Sequence, residues 1–245
     1  MHRLATRLLV CSTAVPPDPG GLSIAVSRLF ADIDPADYCL VSFRSKLLPS
    51  ENGPVPLPAT TYRLPTDWIP TKLIRADYPL RPIRATRKFT AEVLRRGRRM
   101  AALIRRERCG AVLVTTSMET VDVPAAWLAA RLTGVPLCIY MLDNWRYMLR
   151  LFDPVFAPVD GAFQSAVLAG TRCLLVQNQY MAEEIKRENG RDGAVVGIAL
   201  PTGAKLGENN SQAWPSIPGE LRIVFTGNVY LAHFDALARV LESLE

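Results

Sequence analysis

The stretch Ala111-Val112-Leu113-Val114-Thr115, followed by Val123–Leu132 and then by Val135-Pro136-Leu137-Cys138-Ile139-Tyr140-Met141-Leu142-Asp143, decides the fold. Two short apolar runs flank a segment with helical spacing, and Gly134 stops that segment before Pro136. Runs of this length, with β-branched residues and a breaker between them, predict strand, helix, strand; strands buried on both faces imply a parallel crossover.

The same alternation continues in both directions. Upstream, Arg7–Thr13 is an apolar run ending in the Pro- and Gly-rich turn Val15–Gly21, and Leu22–Phe30 has Leu22, Val26 and Leu29 on one helical face. Tyr38–Phe43 and Thr61–Leu64 predict two further strands, and the proline-rich stretch Pro49–Pro82 is expected to be mostly irregular. A long helix then carries Phe89, Val93, Met100 and Ile104 on one stripe. Downstream, a loop through Asp153-Pro154 leads to helix Gly161–Ala169, strand Cys173–Gln177, helix Met181–Glu188 and strand Ala194–Leu200. The expected fold class is α/β: a Rossmann-like parallel sheet with helices on both faces.

Residues 1–201 are expected to form this domain, residues 202–219 an interdomain linker rich in Gly, Asn, Ser and Pro, and residues 220–245 the opening βα unit of a second, truncated domain. Leu221–Phe225 starts that unit as a strand and turns at Thr226-Gly227-Asn228.

Hydrophobic residues make up 49% of the 245-residue chain and charged ones 21%, a profile of ordinary globular proteins. No segment reaches the roughly 18 unbroken apolar residues of a membrane span. The short apolar stretch after Arg3 and Arg7 runs into Pro16-Pro17 and reads as a buried strand rather than an export signal, so a cytoplasmic protein is expected. Five scattered cysteines and two histidines, with no Cys-x-x-Cys pair, predict reduced core thiols and no metal site. No Ser-His-Asp or Cys-His set is evident, and neither G-x-G-x-x-G nor a P-loop motif occurs.

The net charge of +6 is concentrated in one element. From Arg84 to Arg108 nine arginines and Lys88 face only Glu92 and Glu107, and the remainder of the chain is slightly acidic. A solvated charged face, attraction to an anionic membrane or lipid phosphate, and nucleic-acid binding are all compatible with this run. The third is disfavoured by the absence of interleaved aromatics. Arg95, Arg98, Arg99 and Arg105 are the candidates for contact with an anionic surface, which would make the protein peripheral on the inner face of the cell membrane.

Three turns are candidate binding sites. Gly20-Gly21 opens the first helix, where glycine lets a ligand approach free amides; a plain tight turn would explain it as well. Asp143 ends an apolar strand, where ligands collect in open parallel sheets, with Asn144 beside it and Trp145 offering a flat apolar face; a turn or capping role is the competing reading for Asp143. Gly227 and Asn228 repeat the logic in the second unit.

Taken in order, Pro19-Gly20-Gly21-Leu22, Val121-Asp122-Val123-Pro124-Ala125, Gly134-Val135-Pro136, Tyr140-Met141-Leu142-Asp143, Val176-Gln177-Asn178-Gln179-Tyr180-Met181 and Ile223-Val224-Phe225-Thr226-Gly227-Asn228 resemble the GT-B glycosyltransferases, in particular the retaining, family 4-like group. The resemblance implies an acceptor-binding N-terminal domain facing a donor-binding C-terminal one, and transfer of a hexose from a UDP- or GDP-sugar to a glycan or lipid-linked acceptor without metal or other cofactor. Gly20 and Gly21 would line the cleft, Asp143 would contact the acceptor, and Gly227 and Asn228 would lie beside the diphosphate. The family's donor-binding E-x7-E is not reached before Glu245. This chain is therefore expected to bind acceptor or membrane better than it catalyses transfer. A non-catalytic module that binds glycan or anionic lipid and partners a complete transferase is the alternative.

Overall fold

The computed structural model describes residues 2–18, 20–43, 55–64, 66, 81–117 and 119–197, together with Arg239 and Glu242. By its internal contacts the chain divides into two compact units, Met1–Thr202 and Gly203–Glu245. The expected linker, the second βα unit apart from Arg239 and Glu242, and with it Gly227 and Asn228, lie outside the described residues, as does most of the proline-rich stretch.

The first unit is α/β. Among the described residues, seven parallel strands lie in the order β3-β2-β1-β4-β5-β6-β7: β1 Leu8–Cys11, β2 Tyr38–Ser42, β3 Thr61–Arg63, β4 Ala111–Thr115, β5 Leu137–Met141, β6 Thr171–Val176 and β7 Ala194–Val195. The helices are α1 Gly21–Phe30, α2 Arg81–Arg106, α3 Asp122–Thr133, α4 Trp145–Phe152, α5 Asp160–Ala169 and α6 Gln179–Asn189. Alternation along the strands divides the core in two. Leu9, Cys11, Cys39, Val41, Val112, Val114, Ile139, Met141 and Leu174 face α2, α3, α5 and α6; Val10, Leu40, Leu113, Tyr140 and Leu142 face α1. All five cysteines are free thiols, and Cys11, Cys39 and Cys109 are buried.

The strand order reverses between β1 and β4. The chain moves outward to β2 and β3 and then returns through α2 to the other side of β1. That return positions everything at the carboxyl edge. Helix α2 crosses α3 closely at Gly97, where an added Cβ would stand 2.8 Å from Leu128 Cδ2 and 3.1 Å from the Ala125 carbonyl oxygen. One residue earlier, Arg96 is fully buried and bonded to Asp122 at the start of α3. Arg96 therefore lies level with the carboxyl end of β4, and the half of α2 before it stands beyond the sheet. There Phe89 packs on Val121, Leu149 and Phe156.

Two readings of the sequence are corrected here. The segment expected as a loop before Asp153 contains α4. Asn144 caps that helix by accepting hydrogen bonds from the amides of Arg146 (3.1 Å) and Tyr147 (3.3 Å), and Trp145 and Leu149, four residues apart, both turn inward. Arg96, counted among the solvated charges of α2, sits on the buried face between Phe89 and Met100.

Because no side chain fits at the α2–α3 crossing, Gly97→Val is expected to lower stability by about 1–3 kcal/mol, read as a reduced midpoint in chemical unfolding. A midpoint equal to wild type would contradict this account of the crossing.

Candidate functional site

Ligands of open parallel sheets collect beyond the carboxyl ends of the strands, near the point where strand order reverses. In this chain the reversal itself is closed by side chains. The loop after β1 is held down by Ser12 Oγ donating to the Ala14 carbonyl (2.8 Å), by Ser42 Oγ donating to the Thr13 carbonyl (2.7 Å), and by Asp18, which accepts from the Val15 amide (3.2 Å) and pairs with Arg63 at 3.0 Å. Thr13 Oγ1 then reaches across to Ser117 Oγ at 2.6 Å and donates to Asp122 Oδ2 at 3.1 Å.

Behind this bridge lies a charged cluster. Arg96 donates through Nε to Glu92 (2.6 Å) and through Nη1 to Asp122 (2.6 Å) and Glu119 (3.1 Å). Its guanidinium carbon is 5.0 Å from the centre of the Phe43 ring. The carboxylates respond in opposite directions. Burial works against the charge of Glu92, but hydrogen bonds from Arg95, Thr66 and Arg96 outweigh it and hold its carboxyl down at about 2. Burial and the neighbouring Asp122 charge push Glu119 up to about 7, against the pull of Arg96.

The open space lies one strand further along. A pocket of ≈ 250 Å³ is lined by Gly21, Leu22 and Ala25 of α1, Leu142 and Asp143 beyond β5, and Gln177 beyond β6. Helix α1 presents its first amides with no side-chain cap and no acidic residue in its first turn. Gly20, at φ +117, holds a backbone conformation that L side chains rarely adopt, and its missing Cβ leaves open space. Asp143 is half-buried, burial raises its carboxyl above the usual value, and the carboxylate accepts no hydrogen bond among the described residues. Its backbone is fixed instead by Thr116. The Thr116 hydroxyl accepts from the amides of Leu142 (2.9 Å) and Asp143 (3.0 Å) and donates to the Asp143 carbonyl (2.7 Å).

Of the residues that the sequence suggested, Gly21 and Asp143 meet in this pocket, and Gly20, next to Gly21, is the N-cap of α1 and not among the lining residues. Asp143 is not a capping residue; Asn144 is, so the Asn144 side chain is taken up by α4 rather than offered to a ligand. Trp145 is corrected more sharply. It is 2% exposed, its Nε1 donates to the Thr120 carbonyl at 3.1 Å, and its ring packs 5.3 Å from Phe163, because the first turn of α4 rotates it into the core. Of the four arginines, Arg98 and Arg99 are exposed and form no ion pair among the described residues, Arg95 pairs with Glu92 at 2.6 Å, and Arg105 donates to the Leu132 carbonyl at 2.8 Å.

Sequence reasoning missed Gln177 and the Arg96 cluster as site elements. Gln177 could have been found, since it is the last residue of a predicted strand, at the same edge of the sheet where Asp143 follows another. Among the described residues no group of three or more His, Cys, Asp or Glu side chains could hold a metal ion. No family model and no curated protein matches the chain.

The shifted carboxylates predict the pH dependence of stability. A folded-state value of about 7 for Glu119, against 4.5 for an unperturbed glutamate, means that the folded form holds the proton more tightly. Stability is therefore expected to fall by about 1–3 kcal/mol as pH rises from roughly 4.5 through 7. Glu119→Gln should flatten that limb in urea titrations and leave the acid limb below pH 4.5, where Glu92 loses its charge. A wild-type slope surviving in the variant would remove Glu119 from the account.

Proposed function

We propose that the first unit is the acceptor-binding domain of a glycosyltransferase that uses nucleotide-sugars. The observation that carries the reading is the convergence of Gly21 and Asp143, 122 positions apart in sequence, on one pocket at the carboxyl edge of the sheet. The pocket is smaller than the roughly 300–1,000 Å³ of sites for drug-sized ligands, a scale suited to a single ring. Its chemistry suits a sugar: a carboxylate without a partner accepts from hydroxyl groups, Gln177 can donate and accept, and Leu22, Ala25 and Leu142 offer apolar contact to ring carbons.

In this reading the acceptor hydroxyl donates its hydrogen bond to Asp143, which orients the oxygen toward the anomeric carbon of the donor. The uncapped start of α1 favours the negative charge of the donor diphosphate. Retention of configuration and a UDP- or GDP-hexose as donor rest on the resemblance. Peripheral attachment to the membrane would supply lipid-linked acceptors and is taken up below.

Saturation-transfer NMR on the chain, with a panel of free hexoses and glycans in the presence and absence of UDP- and GDP-sugars, tests the reading. At least one hexose-bearing acceptor is expected to receive saturation. Asp143→Asn should weaken it by about 10-fold or more, the loss expected for a hydrogen bond to a charged acceptor. Silence across the whole panel, or equal binding by the variant, would sink the proposal.

A further inference from the structure

Helix α2 carries a row of exposed cations. Exposed basic residues recur at Arg84, Arg87, Lys88, Arg98, Arg99 and Arg105, spacings that place them along one outward stripe, with half-buried Arg95 between them. From Arg84 to Arg105 the stripe runs about 32 Å at 1.5 Å per residue. Arg87, Lys88, Arg98 and Arg99 make no hydrogen bond or ion pair among the described residues. The neighbouring acidic residues do not balance them, because Glu92 is turned inward onto Arg95 and Arg96, and Glu107, just past the end of the helix, is paired with Arg7 and Arg106. Like charges three and four residues apart repel and weaken a helix, so the row is a cost to the isolated chain that a negatively charged surface would relieve.

The form of the row selects the surface. It follows a single 26-residue helix, so a flat array of negative charge can meet all of it at once, whereas a duplex curves away after a few phosphates. The exposed face has no aromatic ring on which a single-stranded base could stack, because Phe89 is 4% exposed and packed on Phe156. Two apolar side chains flank the cations instead, Ile83 at 66% and Leu94 at 39% exposure. We propose that α2 is a docking surface for an anionic lipid bilayer, with Arg84, Arg87, Lys88, Arg98, Arg99 and Arg105 lying along the headgroups and Ile83 and Leu94 at the interface. The half of α2 preceding Arg96 stands beyond the carboxyl edge of the sheet, so the bilayer meets the same edge at which the Asp143 pocket opens. The inference does not depend on the glycosyltransferase reading, since it rests on the outer face of α2 alone.

Flotation with vesicles of phosphatidylcholine alone, and of phosphatidylcholine mixed with phosphatidylglycerol, tests it. The chain should float only with the anionic vesicles and be released as salt rises. A surface cation of this kind contributes about five-fold to partitioning. The pairs R87A/K88A and R98A/R99A should therefore each lower partitioning about 25-fold, and the quadruple variant several hundred-fold. The triple variant R28A/R172A/R187A, which removes exposed charge from other elements, should partition like wild type. Unchanged melting temperatures would establish that the substitutions act on the surface; should the quadruple variant fail to fold, the two pairs decide the question. No flotation of wild type, equal loss in the triple variant, or displacement from vesicles by an equal charge concentration of duplex or single-stranded nucleic acid would overturn the proposal.

Discussion

A guanidinium with no solvent exposure ties the upper half of the domain together. Arg96 reaches Glu92 on its own helix and both Glu119 and Asp122 across the gap to the β4–α3 loop, and Asp122 in turn accepts from Thr13 in the loop after β1. Burying such a charge is expensive, and the carboxylates of Glu92 and Asp122 offset that cost, while Glu119, its own carboxyl pushed up to about 7, adds a third hydrogen-bond acceptor; losing one partner of a buried pair costs about 3–5 kcal/mol. The arrangement makes the positions of α2, the β4–α3 loop and the β1–α1 loop interdependent. A helix that could otherwise slide along the sheet is fixed in height by one side chain.

That height divides α2 into two parts with different surroundings. The part after Arg96 packs Met100, Leu103 and Ile104 on the sheet and on α3, as a crossover helix must. The part before it has no sheet beneath it and is supported by Phe89 against Phe156 and Leu149, residues contributed by α4 and the turn that follows it. Helix α4 is held in its turn by Trp145, whose indole nitrogen donates to the Thr120 carbonyl in the β4–α3 loop. The roof over the carboxyl edge is thus one connected structure, anchored at Arg96 and at Trp145.

The parallel sheet was legible in the sequence because strands buried on both faces are apolar throughout, and the breaks between them, such as Gly134 with Pro136, fall where the structure turns. The range of β4 is the same in both, Ala111–Thr115, and the end of α1 at Phe30 likewise agrees. Helix α4 was not legible. It has 8 residues, its polar cap adjoins a strand end that looked like a binding turn, and its tryptophan reads equally well as a sugar platform or as a core residue until the direction of the helix is known. Arg96 was hidden for a related reason. Among nine arginines of one helix, only the partners contributed from elsewhere in the chain distinguish the one that is buried. Asp143 could be read from its place at a strand end, but Gly21 as its partner across the pocket could not, since that proximity depends on the lateral order of β1, β4 and β5.

The hydroxyl of Thr116 has one further consequence. It uses its one donor and both acceptor positions on the backbone of Leu142 and Asp143, so the main-chain groups it engages are occupied and the acidic side chain remains as the acceptor at that wall. The opposite wall begins with the first amides of α1, which only donate. The pocket is therefore directional in the sense of its hydrogen bonds. A molecule with a proton to give at one end and lone pairs or negative charge at the other can sit in it one way round, and the same molecule reversed would set donor against donor and acceptor against acceptor.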